Sequence, residues 1–202
     1  MKNIITIQHT QSIHHTNGMV GSWTDWDLSE FGISQADKIG KNLKKEISDK
    51  KYVMYSSDLM RAKQTAMIVA DYLGITPIYT EVLRERNLGQ AVGKSVEWLR
   101  NNMTEEKTID DRMFFDAETI HEQYDNLLKF HEQIMKSDNE NILIVSHGGT
   151  LSVFHAIWLG LDADMLNRCN LHGKAGGVSF MDIDIRGSKR ITRLSDMSYS
   201  LI

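Results

Sequence analysis

With 202 residues, the chain is long enough for one domain with a real core and short for two, so 1–202 is read as a single domain. An apolar share of 41%, a charged share of 25% and a net charge of −4 argue against a disordered chain and leave no cation excess for a nucleic-acid backbone. The single cysteine, Cys169, excludes an internal disulfide; Met1–Ile7 is too short for a signal-peptide core, and no run approaches the roughly 20 apolar residues of a membrane helix. The expectation is a cytoplasmic protein with no nucleic-acid or membrane partner and an open oligomeric state.

Ile4–Gln8 is a β-branched run expected as a buried strand. Residues 11–31 are polar, contain Gly18, Gly21, Trp23 and Trp26, and are expected as one long loop of the kind that often carries function. Ala36, Ile39, Leu43 and Ile47 share one face of a helix. Tyr52–Tyr55 is a second strand, running into Ser56-Ser57-Asp58 as a helix opening. Leu59, Ala62, Ala66, Val69 and Leu73 line the next helix, which Gly74 stops.

Pro77–Thr80 predicts a strand, 81–95 a loop and Val96–Asn102 a short helix. Thr104–Arg112 is charged and aperiodic, expected as a solvated surface segment. Ile120, Tyr124, Leu127, His131 and Ile134 mark a longer helix. Ile142–Ser146 is the clearest strand, followed by His147-Gly148-Gly149 and a helix over Thr150–Leu159. The Gly173–Gly177 region reads as a turn, Val178–Ile185 as a strand and Arg190–Leu194 as an edge strand. The alternation predicts an α/β fold, a three-layer α/β/α sandwich with a mostly parallel sheet.

In such folds, sites gather beyond the carboxyl ends of the strands. Three predicted strands end in unusual chemistry: at Gln8-His9-Thr10, ahead of Asp58-Leu59-Met60-Arg61, and at Ser146-His147-Gly148-Gly149. Arg84-Glu85-Arg86 follows a fourth. A neutral imidazole can take a phosphoryl group covalently. Arg61 offers a planar fork to phosphate oxygens, His147 and the N–H of Gly148 offer further donors, and Glu85 can protonate a leaving alkoxide. With side-chain cations no metal or other cofactor is required. Taken singly, each residue also has a plain structural reading as a satisfied strand-end histidine or a surface charge.

Order and context shift that balance. The chain resembles the histidine phosphatase superfamily, which includes the cofactor-dependent phosphoglycerate mutases. The resemblance rests on Gln8-His9-Thr10-Gln11-Ser12, on Gly21 with Leu28-Ser29-Glu30-Phe31-Gly32, and on Leu83-Arg84-Glu85 with Gly89. It rests most specifically on Ser57-Asp58-Leu59-Met60-Arg61-Ala62-Lys63-Gln64-Thr65-Ala66, and least so on the closing His147-Gly148-Gly149. It implies a phosphoglycerate mutase-like fold, His9 as the phosphorylated nucleophile, Arg61 and His147 as phosphoryl ligands, Glu85 as proton donor, and Arg86 as a substrate contact. Gln8, Ser12, His15 and Gly148 are further candidate phosphate contacts.

The chain departs from the family at two positions. Gln8 replaces an arginine and Thr10 a glycine, so a charged hydrogen bond, worth about twice a neutral one, is missing. Protonated His15 or His14 is a candidate replacement cation. His9, His14 and His15 also raise a metal site, against which stands the expectation that the strand end holds His9 away from the other two. The reading favoured is hydrolysis of a small phosphorylated substrate through phospho-His9. The alternatives are mutase-type transfer and a phosphoester-binding protein that lost catalysis. Residues 90–115 are expected to cap the pocket, with Trp98, Met103, Phe114 and Phe115 giving it apolar character.

Overall fold

The computed structural model of the protein describes residues 2–201. Its sheet has six strands in the order β3-β2-β4-β1-β5-β6. Strands β1 (Asn3–Gln8), β2 (Val53–Ser56), β3 (Ile78–Tyr79) and β4 (Asn141–Ser146) are mutually parallel. Strands β5 (Val178–Ile183) and β6 (Lys189–Asp196) extend the sheet antiparallel. The expected mostly parallel α/β sheet forms, and its antiparallel β5 and β6 make it mixed.

Alternation of side chains along the strands builds two cores. Ile4, Ile142 and Ile144 pack under α5 (Ile120–Lys136) and α6 (Gly148–Leu159). Ile5, Ile7, Leu143 and Val145 pack under α2 (Glu30–Ile47) and α3 (Met60–Leu73). Because a strand has a period of two, the central strands read as continuous apolar runs only when both faces are covered. Helix α6 is apolar nearly all round, as a helix sunk between sheet and neighbours must be. Helix α5 opens with a capping box between Thr119 and Glu122.

The register of the central strands sets up the site. Gln8 of β1 pairs with Ser146 of β4, and Ser56 of β2 pairs with Val145. The next residues, His9, His147 and Ser57, therefore leave the sheet side by side at one edge. The His9 N–H still reaches the Ser146 carbonyl at 2.8 Å, and the Ser57 N–H reaches Val145 at 3.0 Å.

Several expectations needed correction. The loop expected over 11–31 contains a one-turn helix, α1 (His14–Asn17), and ends earlier, because Ser29 caps α2 by accepting from the Gly32 N–H. The segment 81–95 contains two 3₁₀ turns, Glu81–Leu83 and Gly89–Ala91. The strand expected to Ile185 stops at Ile183, where Asp184 accepts from the N–H groups of Arg186 and Ser188 and turns the chain. Thr104–Arg112 is not simply solvated: Ile109 is buried and Glu106 faces inward as an ion-pair partner. Those contacts come from residues distant in sequence, which no local periodicity reports. Helix α4 (Val96–Asn102) forms as expected. It belongs to a small third core of Ala91, Phe114 and Ala117, with Trp98 and Leu99 packed on it. Met103 and Phe115 point outward.

Candidate active site

The β1 end presents His9 almost fully buried. Its Nδ1–H donates to the Thr10 carbonyl at 2.8 Å, which leaves the Nε2 lone pair free of its own proton. Burial, then the neighbouring Arg61 charge, holds the ring well below the ordinary histidine pKa, so it is neutral.

Arg61, at the start of α3, is equally buried and fully committed in direction. Its Nε–H points to His9 Nε2 at 3.2 Å, while its two terminal nitrogens donate to the carbonyls of Thr24 and Ser22 at 2.9 and 2.8 Å. Burial lowers its pKa to about 10, opposed by the carboxylates of Glu85 and Asp25, so it stays cationic at neutral pH. The residues following it tie the loops down. Thr65 accepts from the Thr10 N–H and donates to the Arg61 carbonyl, and Gln64 bridges the Leu28 N–H and Asp27. One face of α3 thus fixes both the β1 exit and the 11–29 loop. Ser22 holds a left-handed backbone (φ 35°), a strain stored where the loop turns its carbonyl onto Arg61.

His147 lies edge-on to His9, with ring centroids 5.1 Å apart. Its Nε2 contacts the Ser57 hydroxyl at 2.8 Å, and its Nδ1 is buried with no hydrogen-bond partner. A buried orphaned nitrogen is costly unless a ligand satisfies it. Burial, reinforced by Arg61, also keeps this ring neutral.

Glu85 sits across the cleft at the N-terminus of α6. It accepts from the N–H groups of Gly149 and Thr150, each at 3.1 Å, from the Thr150 hydroxyl and from the Arg86 N–H. A Cβ at Gly149 would come within 2.6 Å of Glu85, and one at Gly148 within 2.4 Å of His172, so both glycines permit close approach.

His9, Arg61 and Glu85 line a cleft of about 480 Å³, whereas His147 is fully buried and does not line it. Gln8, His9, His15, Arg61, Glu85, Arg86 and Gly148 all face it. Ser12 does not. It is buried beneath the cleft, where its N–H donates to His15 Nδ1 at 3.1 Å and its hydroxyl meets His14 Nδ1. Its part is to orient those rings. The expectation of a replacement cation also fails in the free site: burial first, with His15 and Arg61 adding, takes His14 to about 3, and burial and Arg61 lower His15. Both rings are neutral donors or acceptors.

The expected separation of His9 from the other two histidines is overturned as well. Helix α1 folds back, so His15 stacks on His9 with centroids 5.5 Å apart, and one ring nitrogen from each histidine lies within 4.8 Å of the others. Arg61, whose Nε–H occupies His9 Nε2, places a positive charge against any cation there. Sequence reasoning missed Ser57, Ser22 and His172. Ser57 stood inside the most specific motif, and that was the signal available; Ser22 and His172 gave none, since each acts through contacts across the fold.

Comparison with known proteins places these features in a wider group. The profile of the histidine phosphatase superfamily (branch 1) matches residues 4–196. The chain is 29% identical to a metal-independent phosphoserine phosphatase of Arabidopsis thaliana over 97% of this chain and 82% of that protein. It is 27% identical to a 2,3-bisphosphoglycerate-dependent phosphoglycerate mutase of Bartonella tribocorum, over 81% of this chain and 84% of that one. The solved structure of Bacillus stearothermophilus YhfR superposes with a TM-score of 0.83 over 100% of both chains at 23% identity. No helix among the described residues is long and apolar enough to cross a membrane.

Proposed function

Since the chain belongs to the histidine phosphatase superfamily, we propose that it is a phosphomonoester hydrolase working through a phosphohistidine on His9. The observation that carries this reading is the tautomer of His9. The Thr10 carbonyl holds the proton on Nδ1, and Nε2 lies at the Arg61 guanidinium. A nucleophilic lone pair and the cation for the phosphoryl oxygens thus meet at one point.

Nε2 attacks phosphorus as the P–O bond to the alcohol breaks. Arg61, His147 Nδ1–H, the Gln8 amide and the Gly148 N–H take up the charge on the three non-bridging oxygens. Ser57 donates its hydroxyl proton to His147 Nε2, which leaves the ring hydrogen on Nδ1 for the phosphate. Glu85 protonates the departing alkoxide, then accepts a proton from the water that attacks phospho-His9, regenerating the free ring and inorganic phosphate. Every charge in this scheme is a side chain, so no metal takes part. Residues 90–115 act as a cap that limits water and holds the alcohol portion. Transfer to a second anionic substrate is the less favoured reading, because Arg86 is tied up by Glu106 and offers no second anion site.

The test is rapid quenching with a ³²P-labelled phosphomonoester in EDTA. An acid-labile, base-stable protein label that His9→Ala abolishes, together with phosphate release, is the expected result. Undiminished turnover by His9→Ala, or loss of turnover in EDTA, overturns the reading. Binding of the ester without label or release makes the protein a phosphoester binder.

A further inference from the structure

The cationic side chains facing the cleft are Arg61 and Arg86, and their states differ. Arg61 turns its Nε–H to the reacting nitrogen. Arg86 faces the same cleft but is paired. Its terminal nitrogens donate to the two oxygens of Glu106 at 2.8 and 2.9 Å, a fork-to-fork pair with both side chains only 13% exposed. Such a pair is rigid and strong, since two parallel charge-assisted bonds lock the guanidinium plane. The half-buried Glu118, bonded to the Asn87 N–H, adds a second carboxyl group near Arg86, and burial raises its pKa above the ordinary carboxylate value. Beyond the phosphoryl end, this part of the cleft is therefore neutral to negative.

The remaining wall mixes apolar side chains with the uncharged polar Gln123, Ser152 and Asn170. Val20, Leu88, Val96, Leu99, Ile120 and Val153 face the space where the alcohol portion must lie. A carboxylate placed there would lose its water and meet no unpaired arginine, whereas an aromatic or aliphatic group would lose little.

We infer that Glu106 is a specificity-determining residue: by sequestering Arg86 it makes the cleft select phosphomonoesters of uncharged, largely apolar alcohols over esters that carry a carboxylate. The inference rests on the reading of the cleft as a phosphoester site and names its substrate class. Freeing Arg86 would create the anion contact that the folded chain withholds, so the selectivity is reversible by one side chain.

Calorimetric binding of two non-hydrolysable probes, benzylphosphonate and 3-phosphonopropionate, tests this on the intact protein without requiring turnover. The parent is expected to bind benzylphosphonate at least about tenfold more tightly. The near-isosteric Glu106→Gln is expected to shift the ratio of the two Kd values toward the carboxylated probe by about tenfold or more. The double variant Arg86→Gln/Glu106→Gln is expected to lose that shift, since the gain needs the freed guanidinium. An unmoved ratio in Glu106→Gln, or an equal shift in the double variant, overturns the inference. If Glu106→Gln does not fold, as judged by circular dichroism, the parent decides: preference for 3-phosphonopropionate overturns the inference and preference for benzylphosphonate supports it. Hydrolysis of phenyl phosphate and 3-phosphoglycerate, run in parallel, separates the two claims. Probe binding with the expected ratios but no phosphate release defeats the proposed hydrolysis and leaves the specificity standing.

Discussion

The two ends of the cleft treat polar groups in opposite ways. At the phosphoryl end, His147 Nδ1 is buried without a partner and His9 Nε2 has only a long contact from Arg61. At the far end, Arg86 and Glu106 satisfy each other, and Asn87 and Glu118 do the same. Unpaired polar atoms in a buried site cost stability and persist where a ligand supplies the missing partner. Saturated ones only shape the wall. The contrast teaches where charge on the substrate is expected and where it is excluded.

The largest break in that contrast comes from Glu85→Gln, which removes the proton donor while keeping shape. A loss of about 10² to 10⁴ in kcat is expected for an alkyl ester, and a much smaller loss for p-nitrophenyl phosphate, whose leaving group needs no proton. Equal losses on both esters would assign Glu85 a structural part instead. Arg61→Ala comes next, with kcat/KM falling about 10²- to 10³-fold, and Arg61→Lys recovering little because a point charge cannot replace the fork.

Gln8→Arg sharpens the comparison from the other side. His14 and His15 are neutral in the free site, so Gln8 leaves the phosphoryl end one cation short. Adding the charge is expected to raise kcat/KM about tenfold, from ~1.5 kcal/mol of stronger hydrogen bonding. No rise would mean that the histidines acquire protons once the phosphate dianion binds. Ser57→Ala, which frees His147 to turn, is expected to cost about fivefold, roughly 1 kcal/mol.

The smallest effect concerns stability. His131 and His155 are core histidines with pKa values lowered to about 4, by burial first in both. Each has a nitrogen with no hydrogen-bond partner, His131 on α5 packing against Trp158 and His155 on α6 reaching the Thr6 hydroxyl through Nε2. Unfolded histidines take up protons below about 6.5, while the folded ones resist until about 4. Their stabilisation is therefore complete above 6.5 and lost as pH falls toward 4. Thermal melts at pH 7.5 and 5.0 are expected to differ by several degrees. His131→Phe is expected to reduce that difference, and an unchanged difference would point to other groups.

An orphaned histidine nitrogen thus marks a ligand site only beside groups such as His9 and Arg61, and that context separates the legible from the illegible in the chain. The β-branched runs at Ile4–Gln8 and Ile142–Ser146 announced central strands because both faces of each are buried. The run from Ser57 to Ala66 announced the Arg61 helix, since its apolar spacing and its polar motif coincide. The helix over 96–102 was legible from local spacing alone. Helix α1 was not, because its single turn is held by the Ser12 and Asp27 contacts rather than by propensity.

Sequence by itself determined the α/β alternation, the strand-end placing of His9 and His147, and the presence of an arginine and a glutamate suited to phosphoryl chemistry. Those are matters of period and residue type, which are local. Only the tertiary structure decided that Ser12 orients the histidines from below, that His14 and His15 are neutral, and that Arg86 is bound to Glu106. Each depends on burial or on a partner far along the chain, and the Coulomb and desolvation energies that set it act through space rather than along the sequence.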